Sequence, residues 1–137
     1  MNTEALARGL LQSDEGLRLK PYHCTAGKLT IGYGRNLEDR GITEAEAEYL
    51  LENDVSEIYE DLAEIYDFFT HLSPMRKAVL IDMAYNLGLG GLNKFQNMIR
   101  AIDDGDYSKA AFEMLDSRWA SQVGDRAERL SKLMKTG

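Results

Sequence analysis

The segment Glu15–Gly34, EGLRLKPYHCTAGKLTIGYG, decides how this chain is read. Its twenty residues hold four glycines, the only cysteine of the protein and a run of β-formers in Tyr22, Leu29, Ile31 and Tyr33. Ala26-Gly27-Lys28 reads as a hairpin turn, with Gly27 supplying a backbone conformation other residues avoid. Gly32 and Gly34 alternate with Ile31 and Tyr33, a pattern that places a ligand or another backbone close to one face of a strand. The spacing predicts a small antiparallel sheet over about residues 20–36.

Helical patterns flank this sheet on both sides. Asn2 or Thr3 caps a first helix, over about residues 1–14, that sets Leu6, Leu10 and Leu11 on one face. After the sheet, Thr43 and Glu46 form a capping box. Ala47, Leu50, Leu51, Val55, Ile58, Leu62 and Ile65 then recur at helical spacing as the apolar stripe of a long helix. About 24 residues at 1.5 Å each give about 36 Å, enough to cross the molecule and join two lobes. Ser73-Pro74 is an N-cap and first-turn pair for a strongly apolar core helix, which "GLGGLN" interrupts. Shorter helices are expected at about 94–103, 107–116 and 125–135, with Gly105-Asp106 as turn and cap. The sum is a mostly α-helical α+β domain.

The remaining composition narrows the class. The chain has 137 residues, the size of one domain with its own core. Its net charge of −7 and dispersed Lys and Arg argue against nucleic acid, which is bound through a basic surface. One cysteine and two histidines, His23 and His71, provide no metal-ligand spacing and no disulfide, so neither metal nor cofactor is expected. No apolar run reaches the roughly 20 residues of a membrane span, and no secretory leader is seen. A monomer is expected, because no exposed apolar heptad stripe is evident.

Eight residues separate Glu15 from Cys24, and five separate Cys24 from Thr30. If the chain folds back as a hairpin, all three line one side of a cleft. There a carboxylic acid protonates a leaving oxygen, while a polar pair across the scissile bond places a water on the opposite face. Spacing alone also suits a commonplace Glu-Gly helix end and a small buried cysteine.

The order Glu15–Cys24–Thr30 followed by IGYG at 31–34 resembles the catalytic signature of the phage-type lysozymes, the endolysins of glycoside hydrolase family 24. "GITEAEAEYLLENDV" is similar to the start of that family's interlobe helix. "LIDMAYNLGLGGLNKF" is similar to its core helix, and "SRWASQVGDRAER" to its C-terminal Ser-Arg-Trp and Asn-Arg-Ala motifs. Nearly the whole chain is covered in collinear order. The stretch between Gly34-Arg35 and Gly41-Ile42-Thr43 is much shorter than in the T-even enzymes.

The resemblance implies a lysozyme-like domain with a β-containing lobe at about 15–42, an interlobe helix at about 43–67 and a helical lobe from about 1–14 and 70–137. It implies hydrolysis of the β-1,4 bond between N-acetylmuramic acid and N-acetylglucosamine in peptidoglycan, with inversion, for host cell lysis. A weak or inactive peptidoglycan-binding protein on the same fold is the alternative. Glu15 is then the general acid and Thr30 helps hold the attacking water. Cys24 fills the position often taken by Asp. Tyr85, Asn86, Arg118 and Arg126 face the substrate. Each has a plainer reading: Tyr85 as core, Arg118 and Arg126 as surface partners of Asp116 or Asp125. Trp119 is read as core. The resemblance also implies synthesis in the host cytoplasm, release through a holin-type pore and action on the wall. An Arg126 adjacent to Glu15 would oppose the raised pKa that a general acid needs.

Overall fold

A computed structural model describes residues 2–137, so Met1, the expected first residue of the opening helix, lies outside the described residues. The chain forms two compact units, one up to Tyr49 and one from Leu50 to Gly137. It is mostly α-helical, with one three-stranded antiparallel sheet, as the sequence pattern requires.

In the first unit, helix α1 spans Thr3–Glu15. Asn2, rather than Thr3, caps it: its side-chain oxygen accepts from the Ala5 N–H at 2.7 Å. The stripe Leu6, Leu10, Leu11 is present, yet α1 contains no buried residue. Strands β1 (Arg18–His23), β2 (Leu29–Gly32) and β3 (Arg35–Asn36) follow in the order β1-β2-β3. Tyr22 pairs with Thr30, His23 with Leu29, and Ile31 with Arg35. The expected turn is there. Gly27 has φ 78°, its N–H donates to the Cys24 carbonyl at 2.8 Å, and the Cys24 N–H donates to the Lys28 carbonyl at 2.9 Å. One further turn, α2 (Leu37–Arg40), fills the shortened stretch after β3 and is capped by Asn36.

Helix α3 (Glu44–Ile65) begins in the first unit and continues in the second. Its capping box is formed in both directions: Thr43 N–H donates to Glu46 at 2.8 Å, and Glu46 N–H to the Thr43 hydroxyl at 3.1 Å. The expected apolar stripe needs correction. Leu62 alone is buried, Ile58 and Ala63 lie partly buried against the core, and Leu50, Leu51, Val55 and Ile65 are exposed. Only the turns near the C-terminal end of α3 meet a core face.

The second unit is all helix: a 3₁₀ turn at Phe69–His71, then α4 (Pro74–Asn93), α5 (Gln96–Asp103), α6 (Tyr107–Leu115), α7 (Arg118–Val123) and α8 (Asp125–Thr136). Ser73 caps α4 and Pro74 opens it. Gly88 breaks α4, at φ 77° and ψ 163°, and the helix resumes after it. Gly105, at φ 75°, and Asp106, which caps α6 through Lys109 N–H, form the expected turn. The core collects Leu62, Phe69, Leu80, Met83, Leu92, Met98, Ile102, Met114 and Met134. Trp119 joins it at 4% exposure, as the sequence suggests. Arg76 ties α4 to α8. Its guanidinium donates to the carbonyls of Met134 at 2.8 Å and Lys135 at 3.0 Å, and stacks 3.5 Å over the Tyr107 ring.

Candidate active site

The first unit brings Cys24 and Thr30 together. Cys24 follows β1 directly, and Thr30 lies in the middle of β2. Thr30 is 3% exposed, and its hydroxyl donates to the Lys28 carbonyl at 2.8 Å. That carbonyl also accepts the Cys24 N–H, so one oxygen of the turn fixes both residues. Cys24 is a free, half-buried thiol and not the inert core cysteine of the plainer reading.

The thiol pKa is pulled below its ordinary value, first by the backbone N–H of Lys28 and then by that of Ala26. Desolvation opposes them, and a hydrogen bond from the Thr30 side chain adds to the lowering. Donors aimed at sulfur favour the thiolate. The Lys28 ammonium is not the agent; it sits 3.4 Å from Glu38 and 3.4 Å from Asp39 on α2. Because Thr30 has one hydroxyl proton, it serves either the Lys28 carbonyl or the sulfur at a given moment.

Glu15 is the last residue of α1, released from the helix by Gly16 at φ 68°. Its carboxylate lies against the backbone of Gly34: a Cβ placed on Gly34 would stand 2.9 Å from Glu15 Oε2. Gly32, the other glycine of that run, has nothing within 4 Å of the corresponding position. Within the chain, a close approach occurs at Gly34 and not at Gly32, and at Gly34 it comes from a side chain rather than from another backbone. Arg35, next in the chain, grips Glu46 with both terminal nitrogens, at 2.9 and 2.6 Å, and donates to the Gly41 carbonyl at 3.1 Å. This guanidinium, with the Thr43 N–H, holds the Glu46 carboxyl at about 2, well below the usual range.

The second unit carries the other four residues. Tyr85, on α4, is 52% exposed and not core. Asn86 turns its oxygen to the buried indole: Trp119 Nε1–H donates to Oδ1 at 2.8 Å. A ligand role for Asn86 therefore falls to its NH₂ group. Arg118 is the first residue of α7, behind the Ser117 cap, and makes no ion pair among the described residues. It lines a cavity of about 270 Å³ together with Phe95, Asn97, Glu113 and Trp119. Arg126 is paired, but with Asp82 and not Asp125: Nη2 lies 2.7 Å and Nε 2.9 Å from Asp82 Oδ1. Asp82, 44 residues away in sequence, is the partner that the sequence reading missed.

No group of three or more His, Cys, Asp or Glu side chains able to hold a metal ion occurs among the described residues.

The chain is 30% identical to the pre-baseplate central spike protein Gp5 of Enterobacteria phage T4, over 93% of this chain and 27% of that protein. It thus spans about a quarter of Gp5. It is 24% identical to a probable T4-type lysozyme 2 of Dictyostelium discoideum, covering 95% of this chain and 94% of the relative. An endolysin of Acyrthosiphon pisum secondary endosymbiont phage 1 is 29% identical over 92% of this chain and 86% of its own length. The phage lysozyme family model matches residues 12–135, from the end of α1 to the end of α8, and the chain belongs to that family.

Proposed function

We propose that this peptidoglycan hydrolase of the lysozyme kind cleaves the β-1,4 bond between N-acetylmuramic acid and N-acetylglucosamine, with inversion at the anomeric carbon. Glu15 gives its proton to the glycosidic oxygen. Water attacks the anomeric carbon from the opposite face, oriented by the Thr30 hydroxyl and the Cys24 sulfur. The thiolate, where present, takes the proton from that water. On the second unit, Tyr85 offers a ring face to a sugar, the Asn86 NH₂ a donor, and Arg118 a cation to the carboxylates of the wall. Arg126, held by Asp82, orders the start of α8 and is the weakest of the four as a direct contact.

The observation that carries this reading is the turn Cys24–Lys28. It presents a half-buried thiol with a lowered pKa, shares a carbonyl with a buried threonine hydroxyl, and belongs to the same sheet segment as Gly34, against which Glu15 rests. No helix among the described residues is long and apolar enough to cross a membrane. By its likeness to the endolysins, the protein is read as a monomer made in the host cytoplasm that reaches the wall through a holin-type pore.

Turbidity loss and reducing-end release on purified peptidoglycan test it. Glu15→Gln is expected to lower the rate by at least about 100-fold, the contribution typical of a positioned acid. The first-formed sugar is expected as the α anomer by proton NMR. Release of peptides without reducing ends would overturn the assignment. Wall binding with negligible turnover in both proteins would make this a binding module on the lysozyme fold.

A further inference from the structure

The geometry points to Gly34, fixed by the Arg35–Glu46 ion pair, as a positioning residue for the Glu15 carboxylate. The inference rests on the reading of Glu15 as the acid and adds what holds that acid in place. Glu15 is the exposed last residue of α1. The surface it meets is the bare α-carbon of Gly34. A methyl group there would lie 2.9 Å from Oε2, 3.1 Å from Cδ and 3.4 Å from Cγ, so the space a side chain would need is the space the carboxylate fills.

Two restraints keep that surface still. Ile31 of β2 pairs with Arg35, which anchors the backbone on one side. The Arg35 guanidinium then reaches forward to Gly41 O and both Glu46 oxygens, and Glu46 is itself locked by the Thr43 capping box. A bidentate Arg–carboxylate pair fixes direction as well as distance. The chain from Gly34 is thus tied to the first turn of α3, and the floor under Glu15 cannot shift without breaking that pair. Neither Arg35 nor Glu46 touches the reacting atoms; both act through Gly34.

Gly32 supplies an internal control. It has φ 71°, close to the 73° of Gly34, so alanine strains the backbone similarly at either position, but nothing lies near its missing Cβ. Gly34→Ala is expected to lower kcat by about 100-fold with KM nearly unchanged, the size of loss that follows a misplacement of about 1 Å. Gly32→Ala carries the same backbone strain without the contact to Glu15, so its loss of kcat is expected to fall well short of that in Gly34→Ala. The second readout is the ¹³C carboxyl resonance of Glu15, assigned by its absence in Glu15→Gln. It should move in Gly34→Ala and stay in Gly32→Ala.

Equal kcat losses in the two alanine variants, or an unmoved Glu15 resonance in a folded Gly34→Ala, would overturn the inference. Should Gly34→Ala fail to fold by circular dichroism, Glu46→Gln decides: a shifted Glu15 resonance with lower kcat and held KM supports it, and an unmoved resonance refutes it. If Glu15→Gln keeps full turnover, the acid assignment falls, and the resonance comparison still determines whether Gly34 carries the carboxylate.

Discussion

Cys24 is a thiol poised by backbone rather than by charge. Two peptide N–H groups and a threonine hydroxyl lower its pKa, so the thiolate forms at a lower pH than it would on an ordinary cysteine, whose value is about 8.5. If that thiolate accepts the proton of the attacking water, activity climbs with pH along a limb that lies lower than an ordinary cysteine would give. Cys24→Ala is expected to remove the limb from a pH–rate profile, and complete alkylation of Cys24 to inhibit. Full activity after complete alkylation would exclude a role for the sulfur. The sequence made Cys24 and Thr30 legible, because the turn between them is local and Gly27 marks it. It did not make legible what their neighbours donate. Nor did it reveal Asp82 beneath Arg126, since partners 44 residues apart carry no spacing signal.

Among the elements, α3 and α4 announce themselves by their caps, and each has a measurable feature, the capping box in α3 and the break in α4. Glu46 at about 2 against an ordinary 4.5 is a depressed carboxylate. Its contribution to stability is complete above about 4.5 and is lost as pH falls from there toward 2. Thermal melts between pH 5 and 2 should therefore show Glu46→Gln less stable than the natural chain at the upper end, with the gap closing toward the lower end. Gly88, at φ 77°, marks where α4 changes direction. Gly88→Ala is expected to destabilise by about 1 kcal/mol or more in urea titrations, because alanine resists that conformation. The short α2 and α7 escaped the sequence reading for one reason. Four and six residues are too few to show periodicity: α2 buries no residue and rests on its Asn36 cap, and α7 has the Ser117 cap and a single large core residue, Trp119.

At the scale of the molecule, stability concentrates in the helical second unit, where Leu62, Phe69, Met83 and Met114 are fully buried. Leu62→Ala is expected to cost about 2–5 kcal/mol in denaturant unfolding, as core truncations of this kind do. The α+β class, the sheet and the helix order were legible, since each rests on local pattern. Which apolar stripe is buried was not, because α1 and most of α3 show regular leucines that no core covers. Charge acts at this scale too. With a net charge of −7, the protein gains nothing from long-range attraction to an anionic wall. Lysis rates should stay flat or rise as salt screens the repulsion between about 0.01 and 0.15 M. A steep fall with salt would mean that a local cationic patch governs binding.

The Arg76 guanidinium changes how the last turn of α8 opens. A helix end normally frays alone, and its amides trade protons with solvent at little energetic cost. Here the carbonyls of Met134 and Lys135 accept from a side chain of α4, which is itself stacked on Tyr107 of α6. Three helices must part before that turn unwinds. In deuterated water the closing amides of α8 should exchange in step with those of α4 rather than ahead of them, and Arg76→Ala should uncouple the two.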